Sequence, residues 1–381
     1  MKTYPKWLSA AVLSAMLASP AAALETKAKN VILMDYDTGE YLFAENAFVP
    51  VAPASMSKLM TVYVLFSKLK DGTLSLEDVF SVSENAWRTG GAASGSSTMF
   101  LPIGSKVTVE NLIKGIIIQS GNDACIVAAE NIAGSEEDFA ELMNAKAKEL
   151  GLKNSHFVNS TGLPHPDHRM SAEDLARLAQ ALIRDFPEYY SVFSQKSFTY
   201  NNILQGNRNP LLYSMPDADG LKTGHTAEAG FCLTASVKRG DRRLIGVMTG
   251  LKSNKERSEE AEKLMNWGFR EFNNYKVFKQ FQRIVSVPVY MGEEKSIDLA
   301  VDEDVIMTIA RSKARDVKLT AVYDKPVKAP VAQGDKLGEV KIEIPGGEVK
   351  TVPLYADHSI RKLGFWGRIL SNVKYLLFGA E

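Results

Sequence analysis

The chain has 381 residues, enough for two domains at about 150 residues each. Its 45% hydrophobic and 24% charged residues are the balance of a globular protein with a sizeable core. Lys+Arg and Asp+Glu both total 45, which argues against nucleic-acid binding through bulk positive charge and against an acidic disordered tail. Two cysteines are too few for a disulfide scaffold or a four-cysteine zinc site.

The first residues read as an export signal. Lys2 and Lys6 give a positive start, Trp7 to Leu17 a short apolar run, and Pro20-Ala21-Ala22-Ala23 a small-residue cleavage site, so cleavage is expected after Ala23. The run is short for a retained membrane anchor, is broken by Ser9 and Ser14 and is followed by Pro20. Loss of Lys2 and Lys6 takes the mature chain from 0 to −2, because no acidic residue precedes Glu25.

Strands are expected over Asn30–Tyr36 and Tyr41–Ala44, joined by a turn through Asp37-Thr38-Gly39. The pattern turns helical from Ser55 to about Leu69, stopped by Asp71-Gly72. Thr108–Ile118 and Asp123–Ile132 read as two helices separated by Ser120-Gly121-Asn122. Ser171-Ala172-Glu173-Asp174 opens another helix with a capping-box-like start. Ala229–Val237 and Leu244–Thr249 form an antiparallel hairpin turning at Arg239-Gly240-Asp241, and a Glu- and Lys-rich helix follows over Asn254–Phe272.

Composition then shifts. Short β-branched runs at Ile284–Val289, Val305–Ala310, Val317–Val322 and Lys341–Ile344 are separated by Gly, Pro and Asp, with no competing helical period. They predict a small all-β domain, with the junction near Asn273–Lys276. After it, Leu363, Trp366, Ile369, Leu370, Val373, Leu376 and Leu377 make one helical stripe. Arg361, Lys362, Arg368 and Lys374 against Glu381 give +3, and with Trp366, Tyr375 and Phe378 they favour a helix lying in a bilayer interface over one packed on its own domain. The expected division is a signal at 1–23, a catalytic domain at 24–274, a β domain at 275–357 and an anchor helix at 358–381.

Three motifs follow one another: Ser55-Met56-Ser57-Lys58, Ser120-Gly121-Asn122 and Lys222-Thr223-Gly224. Together they form the S-x-x-K, S-x-N, K-T-G set of penicillin-binding proteins and class A β-lactamases. Each is weak alone, since S-x-x-K recurs at Ser67/Lys70, Ser359/Lys362 and Ser371/Lys374, and S-x-N at Ser83/Asn85. Physics singles out the first copy. Residues i and i+3 share a helix face, so Lys58 reaches the Ser55 hydroxyl, which needs a base to become a nucleophile. Free N–H groups at the helix start stabilise developing negative charge, and the apolar helix supplies the burial that keeps a lysine neutral.

On these residues the whole chain resembles the low-molecular-mass penicillin-binding proteins, the serine D-alanyl-D-alanine carboxypeptidases. Further similar phrases are Pro53 to Met60, Gly95 to Leu101, Ile118 to Cys125, Asn207-Arg208-Asn209, Asp219 to Thr226 and Trp267-Gly268-Phe269. The resemblance implies an α+β fold: a transpeptidase/β-lactamase-like catalytic domain built of an antiparallel sheet with helices, a β-sandwich second domain and a C-terminal amphipathic anchor helix. It implies that Ser55 attacks the bond between two D-alanines and Lys58 takes its proton. Ser120 passes a proton toward the leaving amine, and Asn122 bonds the substrate peptide. Lys222 adds positive charge, Thr223 and Arg257 hold the terminal carboxylate, and the N–H groups of Ser55 and His225, beside Gly224, form an oxyanion hole. The implied substrate is the peptidoglycan pentapeptide, β-lactam antibiotics are the implied covalent inhibitors, and the enzyme would sit on the periplasmic face of the inner membrane. No cofactor, metal or nucleic acid is expected.

Several features stay open on sequence alone. Arg257 could instead pair with Glu260 at i, i+3. Gly90–Ser97 is either a loop bordering the cleft or a plain connector. His165, Asp167 and His168 lack a fourth zinc ligand, and Cys125 and Cys232 are expected as buried free thiols rather than a disulfide. A β-lactamase would need a deacylating E-x-x-L-N phrase; Glu141-Leu142-Met143-Asn144 is one residue short. A D,D-endopeptidase and a catalytically idle scaffold are the remaining competitors.

Overall fold

The computed structural model describes residues 24–323, 325–347, 349–367 and 369. Its centre is a five-stranded antiparallel sheet of β1 (Asn30–Asp35), β2 (Tyr41–Glu45), β3 (Ala218–Thr226), β4 (Gly230–Arg239) and β5 (Arg242–Leu251), in the order β2-β1-β5-β4-β3. The inner strands are buried over most of their length because both faces are covered, with polar residues such as Asn30, Asp35 and Thr249 near their ends and Thr234 and Ser236 within β4. Alternate residues go to opposite sides. Ile32, Met34, Ile245 and Val247 join one core with Leu175, Leu178 and Leu182. Val31, Leu33, Leu233 and Leu244 join the other with Ala261, Leu264 and Met265.

The first core contains α1 (Lys58–Lys70), α2 (Val109–Lys114), α3 (Asn122–Ala133), α4 (Glu136–Glu149) and α5 (Ala172–Asp185). Ser171 caps α5 by accepting the Asp174 N–H, as its capping-box pattern predicts. The opposite face is covered by α6 (Asn254–Glu271). Helix α1 is buried on nearly every side, so it holds its polar residues away from water.

The chain passes from α6 directly into β6 (Phe272–Phe278). The expected junction at 273–276 is therefore strand, antiparallel to β9 (Val305–Ala310). A six-stranded sheet completes the second domain, formed by β7 (Arg283–Tyr290), β8 (Ser296–Ala300), β10 (Lys318–Tyr323), β11 (Val327–Lys328), β12 (Lys336–Glu343) and β13 (Val349–Ala356). Its order is β10-β12-β13-β8-β7-β11. Phe278, Val287, Leu299, Met307, Ile309, Ile342 and Leu354 share one core.

Residues 358–364 of the helix expected at 358–381 are not helical: Ile360 pairs with Val331 and is buried in the second core, and Lys362 pairs with Gly292, so helix is described only at Phe365–Gly367 and Ile369. The rest of that helix and the 1–23 signal lie outside the described residues. Among the described residues, no helix is long and apolar enough to cross a membrane.

Candidate active site

The S-x-x-K motif sits at the entrance to α1. Ala54 to Ser57 form a tight 3₁₀ turn, and Ala54 takes φ +48°, a left-handed conformation that costs a residue with a Cβ about 1–2 kcal/mol. Gly162 (φ +78°) packs on that turn so closely that a Cβ would meet the Ala54 carbonyl oxygen at 2.1 Å. Ser55 is half-buried, while Lys58 is completely buried. Lys58 Nζ lies 2.9 Å from Ser55 Oγ and 2.6 Å from the carbonyl oxygen of Thr161. Burial pulls the Lys58 amine down from 10.5 to about 8, within reach of a neutral, proton-accepting form.

A wide helical turn over Gly115–Gln119 extends α2 and ends at Ser120 in the left-handed conformation (φ +66°). Asn122 then begins α3. Ser120 Oγ accepts from Lys222 Nζ at 2.9 Å. Asn122 Nδ2 donates to Ser96 Oγ at 2.9 Å, and its Oδ1 is buried without a partner among the described residues. Asp123 fixes this corner by accepting the backbone N–H groups of Met99, Leu101 and Ala124 and the Thr98 hydroxyl. At Gly90 a Cβ would meet the Asp123 nitrogen at 2.5 Å. Ser97 lines the cleft and Ser96 meets Asn122 there, so the end of the 90–97 segment borders the cleft.

Lys222, Thr223, Gly224 and His225 lie on β3, the edge strand of the sheet, whose free side leaves alternate backbone groups unpaired. Burial, reinforced by the nearby charges of Lys58 and Arg208, pulls Lys222 well below the usual lysine range. Gly224 lets β3 approach the nucleophile turn, since a Cβ there would stand 3.0 Å from the Pro53 carbonyl oxygen and 3.2 Å from Ala54 Cβ. His225 stacks on Phe231, with ring centroids 4.1 Å apart.

Arg257 enters from α6. Its Nη1 donates to the carbonyls of Gly224 at 3.4 Å and Cys232 at 3.3 Å, its Nη2 donates to Asn254 Oδ1 at 2.5 Å, and its guanidinium lies over Phe231. Glu260 is not its partner and instead accepts from Thr26 and Lys27. Burial lowers Arg257 to about 10, so it keeps its charge at neutral pH.

Ser55, Ser120, Thr223, Gly224, His225 and Arg257 line one cleft of about 770 Å³, with Lys58 and Lys222 buried just behind it. Three contributors escaped the motif argument. Thr161 and Ser96 act through a backbone carbonyl and a loop hydroxyl. Arg208 lines the cleft and donates to Ser97 Oγ at 2.5 Å, and only its Asn207-Arg208-Asn209 phrase hinted at it.

The other candidates go elsewhere. Cys125 and Cys232 are separate buried thiols, raised by burial to about 12 and about 11. His168 uses its ring nitrogens on Ser57 and Val158, whereas His165 Nδ1 accepts the Asp167 N–H. Glu141 is exposed on α4, and Asn144 is tied to the Phe157 backbone by two hydrogen bonds.

Residues 16–253 match the family model for D-alanyl-D-alanine carboxypeptidase, peptidase S11. Residues 272–362 match the model for the penicillin-binding protein 5 C-terminal domain. The chain is 42% identical over 341 residues to D-alanyl-D-alanine carboxypeptidase DacC of Escherichia coli strain K12, across 89% of this chain and 85% of that protein. It is 36% identical to D-alanyl-D-alanine carboxypeptidase DacF of Bacillus subtilis strain 168, across 90% and 88% respectively. Penicillin binding protein 5 from Haemophilus influenzae superposes with a TM-score of 0.80 at 37% identity, covering 89% of this chain and 99% of that one.

Proposed function

The chain belongs to the serine-type D-alanyl-D-alanine carboxypeptidases of peptidoglycan metabolism, and from that membership we propose that Ser55 carries the reaction as an acyl-enzyme. The observation that carries this reading is the Ser55–Lys58 contact of 2.9 Å, with the lysine buried and its pKa lowered to about 8. Neutral Lys58 takes the Ser55 proton as Oγ attacks the carbonyl between the last two D-alanines. The N–H groups of Ser55 and His225 hold the oxyanion.

The C–N bond then breaks. A proton passes from Lys58 toward the leaving amine through Ser120, whose hydroxyl Lys222 contacts. Asn122 bonds the substrate's peptide, and Thr223 with Arg257 holds the carboxylate that departs with the released D-alanine. Water attacks the remaining ester, returning the Ser55 hydroxyl and a shortened stem peptide. A β-lactam enters by the same attack but leaves a slowly cleared ester.

The decisive assay is D-alanine release from a peptide ending in D-Ala-D-Ala, with the mature chain and its Ser55→Ala variant. Release that vanishes in the variant supports the reading. Release from neither, with cleavage of cross-linked dimers by the unaltered chain, would replace it with an endopeptidase. We further propose residues 1–23 as a signal peptide, a catalytic domain that ends with α6 at Glu271, a β domain from Phe272 to Lys362, and the stretch after it as a helix holding the enzyme to the periplasmic face of the inner membrane; the bounds expected at 274/275 and 357/358 move because Phe272–Phe278 is one strand of the second domain and Ile360 is buried in its core. Truncation after Lys362, which spares the β-domain pairing of Ile360 and Lys362, should move the protein into the soluble fraction; retention on membranes would sink the anchor.

A further inference from the structure

Ser57 stands immediately before α1, where a serine hydroxyl ordinarily caps the first free N–H groups, yet its side chain makes no cap. Its Oγ lies 2.7 Å from His168 Nε2, and both residues are buried, at 0% and 2% exposure. The other ring nitrogen, Nδ1, accepts the backbone N–H of Val158 at 3.2 Å. A nitrogen that accepts carries no proton, so the neutral ring keeps its hydrogen on Nε2 and donates it to Ser57. Burial, then the positive charges around it, lowers His168 to about 4, so the ring is neutral at neutral pH and the Val158 contact leaves its proton on Nε2.

The imidazole therefore joins the nucleophile turn to the 158–168 segment. Within that segment, the Thr161 carbonyl takes the Lys58 amine at 2.6 Å and the Ser160 carbonyl takes the Thr61 hydroxyl at 2.6 Å. Neutral Lys58 has two N–H bonds and one lone pair. With one N–H held by Thr161, rotation about the Cε–Nζ bond is restricted and the lone pair can be held toward Ser55 Oγ. The Thr161 carbonyl does this only if its loop keeps its distance from α1.

We infer that His168 is a positioning residue for the reaction: its bridge from Val158 to Ser57 clamps the Thr161 carbonyl against Lys58 and thereby aims the base at Ser55. The ring touches neither nucleophile nor base, and it acts through Ser57 and Thr161. This inference rests on the roles proposed above for Ser55 and Lys58.

The test is the rate of acylation by a fluorescent penicillin, with non-covalent affinity and thermal midpoint measured on the same variants. A displacement on the order of 1 Å costs up to about 100-fold in rate. His168→Phe should therefore acylate about 10–100-fold more slowly, with non-covalent affinity unchanged within about threefold. His168→Gln, whose amide can donate to Ser57 and accept from Val158, should recover most of the rate. Ser57→Ala should be slowed like His168→Phe, and the double variant should be no slower than either single one.

Acylation of His168→Phe at the unaltered rate would overturn the inference, as would equal slowing of the Phe and Gln variants in step with lost thermal stability. If His168→Phe does not fold, wild-type acylation by Ser57→Ala overturns it instead. Ser55→Ala separates the two levels. Acylation persisting in that variant refutes the nucleophile itself, whereas its loss alongside an unaffected Ser57→Ala refutes only the clamp.

Discussion

Lys58 and Lys222, both buried, each end 2.9 Å from a serine hydroxyl, Ser55 and Ser120 respectively, at a single cleft. Two ammonium groups in one desolvated site disfavour each other, and burial alone already lowers both. A lysine serving as base acts only when neutral. Its active fraction therefore grows as pH rises through its pKa of about 8 and falls about tenfold per unit below that. Acylation should climb with pH and level off above about 8, as read by stopped-flow with a β-lactam. Lys58→Arg, which cannot release a proton near neutrality, should lose on the order of 1,000-fold. A flat profile between pH 6 and 9 would remove Lys58 as the base.

Arg257 bonds only backbone carbonyls and the Asn254 amide oxygen, and it pairs with no carboxylate among the described residues. A buried cation without a counterion at a cleft wall suits an anionic substrate end. Loss of a hydrogen bond to a charged group costs about 1.5–3 kcal/mol, so Arg257→Ala should raise KM for a peptide with a free C-terminus by about 10–150-fold. The same peptide as a C-terminal amide should discriminate little between variant and parent. Equal losses on both peptides would make Arg257 a structural prop.

Gly224 has an ordinary extended backbone, so its value is space rather than conformation. Gly224→Ala would place a methyl group 3.0 Å from the Pro53 carbonyl oxygen and 3.2 Å from both Ala54 Cβ and Met56 Cγ. The eight-pair register with β4 opposes retreat of the strand, so the nucleophile turn must give way. Acylation should fall by about tenfold or more, with a destabilisation of about 1–3 kcal/mol. An unchanged acylation rate would show that the turn moves freely.

The readable parts of this site are those whose chemistry is local. Ser55 and Lys58 are three apart on one helical turn, and Ser120 and Asn122 bracket a helix start, so spacing and helix physics place them together. The long, mostly buried runs of β4 and β5 are likewise legible. Strand β3 carries no legible strand pattern, because Asp219, Gly220, Lys222 and Gly224 interrupt its apolar residues. Strands β8 and β13 are hidden in the sequence for the same reason, with Asp298 in one and Lys350 and Pro353 in the other. Thr161 serves through its backbone and Ser96 through a loop hydroxyl, and neither role leaves a residue-type signature. His168 shows in sequence only a weak metal-ligand pairing with His165, because its buried partner Ser57 lies 111 positions away.

The contact between the two domains turns on Asp35 at the end of β1, which is wholly buried. It accepts from Arg242 Nε at 2.9 Å, from Asn274 Nδ2 at 3.1 Å and from the Thr38 backbone N–H at 3.2 Å. Arg242 also donates to the Phe272 carbonyl at 2.7 Å, and Thr38 meets Thr308 of β9 at 2.6 Å. Removing one partner of a buried pair strands the other charge at a cost of about 3–5 kcal/mol. Asp35→Ala should therefore lower the midpoint of the catalytic domain by about 6–20 °C, at the 2–4 °C per kcal/mol expected for a domain of about 250 residues. Asn274→Ala leaves the ion pair intact and should cost only about 1 kcal/mol. It should leave D-alanine release from a short peptide unchanged, because the cleft draws no lining residue from the second domain. Calorimetry that finds Asn274→Ala as damaging as Asp35→Ala would shift the weight of this interface from the ion pair to the amide.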